Sequence, residues 1–210
     1  MKTDYAKLTR VLISAWFALI VTASALHLVH AQPGKAPLGL LIAVLAPIFI
    51  FSVWYLRSND FRAWILSLDP QALTRFHAWR IVGFVFVGLH TYQILPAIFA
   101  LPAGWGDVII GLTAYTASDL ASRRRRKGFV AWQLLGMLDL ILAIGLGAAS
   151  GLIDPHGLNT APVTMLPLSL IPGFGVPFFF ILHIISIAQA RRWHSTDHPN
   201  RLASAQSIPA

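Results

Sequence analysis

Three side chains inside the long apolar stretches of this chain are able to carry chemistry: His90, Asp139 and His183. An ionisable group at the centre of a membrane helix costs about 3 kcal/mol unless it is paired or faces the bundle interior, so each is a candidate functional residue. Their depths follow from the helical rise. His90 lies ten residues beyond Arg80, roughly 15 Å; His183 lies eight before Arg191, roughly 12 Å; Asp139 lies twelve beyond Lys127, roughly 18 Å. On neighbouring helices the three meet near one level.

Two imidazoles from different helices at one depth are what a b-type haem needs for axial ligation. Each ring then holds its second nitrogen on another partner, a part that Asp139 suits. The pattern predicts haem b between His90 and His183, electron transfer, and a quinone or another redox partner. Two further readings use the same residues. One is a proton-coupled transporter or permeation unit with its site at the midplane. The other is a non-catalytic accessory subunit whose polar side chains only join helices. Arg80 and Asp107 flank the cluster on its two sides. His77 and His90 are thirteen apart and fall on nearly opposite faces at about 100° per residue, which argues against a stacked two-haem core.

The elements that must position these residues are helices in lipid. Of 210 residues, 56% are hydrophobic and 11% charged, against about 25% charged in a soluble domain. All eight acidic residues are aspartates, and there is no cysteine, which excludes disulfides, iron-sulfur ligation and c-type haem attachment. No phosphate loop, nucleophile elbow or HExxH motif occurs. The net charge of +8 is explained by cationic loops and does not call for nucleic acid.

The expected fold is all-α: a polytopic membrane bundle forming a single domain over 1–192, with spans at 11–29, 38–56, 76–99, 107–121, 129–151 and 165–190, then a flexible cytoplasmic tail over 193–210. The first run is longer than a signal-peptide core, so it is expected to stay as a span, although Ala23-Ser24-Ala25 and Val29-His30-Ala31 are passable cleavage sites. Phe61, Trp64, Ile65 and Leu68 share one side of a short interfacial helix between the second and third spans. Asp69-Pro70 reads as the N-cap and first position of the third helix. Ala100 to Asp107, with Pro102, Gly104 and Gly106, reads as the turn before the fourth helix, and Asp107 as its cap. Pro167, Pro172, Gly173, Gly175 and Pro177 predict a broken sixth helix.

Charge sets the orientation. Fifteen Lys and Arg fall on one side of these spans and only Lys35 on the other, which places both termini in the cytoplasm. The block from Arg123 to Lys127 then meets anionic headgroups. Asp119, four residues before Arg123, is expected to pair with it. The stripe Asp139, Ala143, Gly147 and Gly151 packs against another helix and turns Asp139 inward, and assembly into a homo-oligomer is compatible with such stripes. Phe178 to Phe180 either wall a flat cofactor or fill space. His27, His30 and His156 lie on the outer side, where they compose a further metal candidate.

Leu101-Pro-Ala-Gly-Trp-Gly-Asp107, with His77-Ala-Trp-Arg80 before it and Pro172-Gly-Phe-Gly-Val-Pro177 after it, resembles a group of small bacterial multi-span membrane proteins sharing an LPAGxGD-type turn. The resemblance implies a bacterial inner membrane and brings no activity or cofactor with it.

Overall fold

An apolar chain in lipid must satisfy each backbone N–H and C=O within its own helices. The computed structural model describes residues 4–31, 38–153 and 157–193, and these are mostly helical, with no strand among them. The helices are α1 (Tyr5–Ala25), α2 (Leu38–Arg57), α3 (Asn59–Ser67), α4 (Pro70–Arg75), α5 (Phe84–Thr91), α6 (Ala97–Ser122), α7 (Arg126–Ile153) and α8 (Val176–Arg192). Six stretches are long and apolar enough to cross a membrane: α1, α2, Pro70–Thr91, α6, Arg126–Ser150 and Ile171–Arg192. Asp154, His156 and the tail beyond Trp193 lie outside the described residues.

Local signals act where the chain is most polar. Asp69 caps α4 by accepting from the amides of Gln71 and Ala72, and Pro70 takes the first helical position, where its missing N–H leaves nothing unpaired. Ser58 caps α3 through the amide of Phe61. The apolar side of α3 is buried, with Phe61 and Ile65 enclosed and Trp64 and Leu68 packed against the same cluster. Phe61 lies flat on Trp54 with ring centroids 3.8 Å apart.

The third span is not α-helical along its length. Between α4 and α5, residues Phe76–Gly83 tighten into a 3₁₀-helix. At three residues per turn, every third side chain eclipses, so His77, Arg80 and Gly83 stack on one face, and all three are buried. The span ends at Thr91, and a turn with Gln93 at φ 58° leads to Pro96.

Here the structure corrects the expected boundaries. The third span runs over Pro70–Thr91 and not to residue 99, and the fourth is α6, which passes unbroken through Pro102, Gly104 and Gly106. The Pro-Gly run is the inside of a helix, not a turn. Its buried face repeats small residues, Ala100, Ala103, Gly104, Gly111, Ala114, Ala117, Ser118 and Ala121, and this lets neighbouring backbones come close. A side chain at Gly104 would press on Val87 and the Gly83 carbonyl; one at Gly111 would meet the Ile81 amide at 2.8 Å. Helix α6 is therefore the centre of the bundle, with the third span on one side and α7 on another.

The sixth span begins with a π-helical turn, Ile171–Gly175, and continues as α8. Helix α1 leans on that turn: Trp16 and Phe17 face Phe174 at 4.6 and 5.2 Å between centroids, and Ser169 donates to Ser24 at 2.9 Å.

Candidate functional site

Among the described residues the ion pairs converge on one guanidinium. Arg80 is 2% exposed, and its Nε donates to Asp107 Oδ1 at 2.7 Å. Its Nη2 donates to Asp139 Oδ2, and its Nη1 donates to the Gly136 carbonyl at 3.2 Å. The same Nη1 lies 3.3 Å from His183 Nε2. Four spans meet here: the third brings Arg80, α6 brings Asp107, α7 brings Asp139 and Gly136, and α8 brings His183.

Backbone proximity makes the junction possible. The Asp107 carboxylate lies where a Cβ on Gly83 would stand, and Asp139 Oδ1 lies where one on Gly106 would stand. At Gly136 a side chain would overlap the His183 ring and come within 3.3 Å of Arg80 Nη1. Gly83 and Gly106 thus make room for the two carboxylates.

Hydrogen-bond direction fixes the histidine. A guanidinium N–H only donates, so His183 Nε2 accepts, and the ring proton sits on Nδ1, from which it is donated to Gln133 Oε1. Both ring nitrogens are then committed. The ring is enclosed by His77 at 4.1 Å and Trp132 at 5.9 Å between centroids. The His77 ring touches Phe179 as well, at 5.3 Å, so Phe179 fills space in this layer.

Toward the arginine-rich end the polar layer continues. His183, Ser186 and Gln189 recur every third residue on α8, all buried, and Gln189 Nε2 donates to the Leu68 carbonyl at 2.7 Å. Both nitrogens of His77, Gln133 Nε2, Ser186 Oγ and Gln189 Oε1 have no partner. Toward the other end the junction meets an apolar cluster of Phe86, Leu95, Phe99, Ala100, Ala103 and Val163.

Of the residues singled out by sequence, Arg80, Asp107, Asp139 and His183 come together. His90 does not join them. It sits near the far end of the third span, half-buried, and its Nδ1 pairs with the Leu95 carbonyl at 3.1 Å. The residues do not fit an axial haem pair: His183 has no free lone pair for iron, and its ring is packed between side chains where a macrocycle would lie. Asp139 serves Arg80 and not an imidazole, which Gln133 serves instead. Asp107 is not an N-cap, because α6 begins ten residues earlier. Asp119 makes no ion pair with Arg123, which has already left the helix as its C-cap. On the outer side His30 Nδ1 lies 3.2 Å from Thr164 Oγ1, and His156 lies outside the described residues. No group of three metal-ligating side chains occurs among the described residues.

Sequence reasoning missed His77 and Gln133. The spacing of three between His77 and Arg80 was the available signal: it puts both on one side of an α-helix and eclipses them in a 3₁₀-helix. Gln133 lies six before Asp139 and carries no charge to mark it.

Comparison with curated proteins and with solved structures finds no match. Residues 35–191 match a family described as a domain of unknown function, DUF8737, a stretch that contains every residue of the junction and leaves α1 ahead of it. The chain thus belongs to the DUF8737 family.

Proposed function

We propose that this protein is a proton-coupled permeation or transport unit of a bacterial inner membrane, with Arg80, Asp107 and Asp139 as the proton-binding site. One observation carries the reading: two carboxylates share a single buried guanidinium between spans. With both carboxylates ionised the trio carries one negative charge; with one proton it is neutral. A proton taken by Asp139 removes the charge that holds Arg80 Nη2, and Arg80 keeps Asp107. Protonation is thereby linked to how α7 is held against the third span and α6.

The polar layer of His183, Gln133, His77, Ser186 and Gln189 supports access from the arginine-rich end, since unused hydrogen-bonding atoms along a buried line suit a water-assisted proton path. By the distribution of Lys and Arg, that end faces the cytoplasm, with both termini, and α3 lies along that interface. The apolar cluster around Phe99 closes the opposite side.

The test is proton influx into proteoliposomes that hold a pH-sensitive dye, with the membrane potential clamped. Influx above that of protein-free vesicles, lost in Asp139→Asn at an unchanged melting temperature, is the expected result. Influx equal to that of empty vesicles rejects the proposal.

A further inference from the structure

A cavity of about 460 Å³ runs from the outer surface of the bundle to the arginine-aspartate junction, within the roughly 300–1,000 Å³ typical of small-molecule sites. Its mouth is formed by Phe17, Trp79 and Val82, which are 41%, 70% and 50% exposed and lie on helices apolar enough to face lipid. Its inner end is formed by Arg80, Gly83 and Asp107. Leu170, the N-cap of the π-helical turn, and Ile171 and Gly175 within it shape one wall, and such turns are frequent at functional sites. The lining is apolar except at the inner end.

The hydrogen bonds at that end select the occupant. Arg80 Nε, Nη1 and Nη2 are all engaged, and Asp107 uses Oδ1 on Arg80. Asp107 Oδ2 accepts nothing among the described residues, and the side chain keeps 12% exposure. The junction thus presents an acceptor, and a second carboxylate stands behind it. An anionic head would be repelled, and a pure hydrocarbon would leave the acceptor unpaired at a cost of about 1–3 kcal/mol. A hydroxyl satisfies it.

We infer that this cavity binds an amphiphile with a hydroxyl head and a long apolar tail, entering sideways from the bilayer, the head donating to Asp107 Oδ2 and the tail lying between Phe17, Trp79 and the π-helical turn. The inference adds a ligand class to the site proposed above. It rests on that reading only for the ligand's role, since binding is read without proton movement.

The probe is a long-chain alcohol carrying a photoreactive diazirine, applied to the full-length protein in detergent beside the carboxylic acid and the alkane of equal length. The expected result is labelling of residues 170–179 or 79–83 by the alcohol at least tenfold above both controls. Gly175→Leu should abolish it, because Gly175 lines the cavity and a Cβ there meets nothing closer than 3.8 Å. An unchanged melting temperature shows that this variant still folds. Competition by unlabelled quinol or by diacylglycerol tells which source of hydroxyl is preferred; displacement by either supports the inference. Equal labelling by alcohol and alkane, stronger labelling by the acid, or labelling that survives in folded Gly175→Leu overturns it. Labelling without proton influx rejects the proton reading alone, and influx without labelling rejects this inference alone.

Discussion

Arg80 Nε and Asp107 Oδ1 meet at 2.7 Å across the third and fourth spans, with both side chains almost wholly removed from the surface. A buried pair of this kind is costly to break and cheap to replace, because removal of one partner strands the other charge. Arg80→Ala strands two carboxylates and is expected to lose about 3–5 kcal/mol in reversible unfolding from detergent. Arg80→Lys should recover only part of that, since an ammonium cannot span partners that the fork reaches through three nitrogens. The triple variant Arg80→Met, Asp107→Leu, Asp139→Leu removes all three charges and should fold with stability equal to the natural chain or about 1–4 kcal/mol above it. Its proton influx should be at the level of empty vesicles. A stable triple variant with normal influx would reduce the junction to an adhesive between helices.

His77 offers a second way to separate packing from function. Its ring is fully buried, neither nitrogen has a partner, and it stacks on His183 at 4.1 Å. A buried polar group without a hydrogen bond costs about 1–3 kcal/mol, so His77→Phe, which keeps the ring, should stabilise the fold by about 1 kcal/mol. Proton influx should fall several-fold in the same variant. A gain in melting temperature with unaltered influx would place His77 outside the path.

Glycine substitutions test the close approach of helices. At Gly136 an added methyl overlaps His183 and crowds Arg80 Nη1, and Gly136→Ala should cost about 1–3 kcal/mol and impair influx together with stability. At Gly88, in α5, an added methyl meets nothing within 4 Å. Gly88→Ala should therefore stabilise by up to about 1 kcal/mol through helix propensity alone. Thermal unfolding of the two variants side by side decides whether proximity, and not glycine itself, is what matters.

The same distinction explains what could be read from the residues and what could not. Spans were legible because lipid demands long apolar helices, and the start of α4 was legible because Asp69-Pro70 acts locally. On α7, Asp139 reaches Arg80, Ala143 packs against the cluster of Phe86 and Leu95, and a side chain at Gly147 would come within 3.4 Å of the Phe99 ring, so these three members of the expected stripe face inward. Pro102, Gly104 and Gly106 misled because glycine serves a turn and a close helix contact equally well, and only the tertiary partner decides between them. The 3₁₀ stretch stacks His77, Arg80 and Gly83 on one buried face, and an arginine expected to flank the cluster is its centre, while His90 lies near the far end of the span on the Leu95 carbonyl. Neither fact is local to the residues concerned.

Helix α1 stands ahead of the family's matched stretch, yet it supplies Phe17 to the cavity mouth. Its polar tie to the rest is Ser24, whose Oγ accepts from Ser169 at 2.9 Å inside the bundle. The chain has no cysteine, so S24C/S169C introduces a single possible pair. Two hydroxyl oxygens this close bring the β-carbons within reach of disulfide spacing, roughly 3.5–4.5 Å. Oxidation should therefore form the bond within one chain, seen as a faster-migrating band that a reductant removes, and melting should shift upward by about 2–4 kcal/mol of stability. The same bond holds α1 against the segment that carries Leu170, so labelling of the cavity by the long-chain alcohol should be retained. Failure of the two cysteines to join under mild oxidation would mean that α1 does not sit where Phe17 can close the mouth.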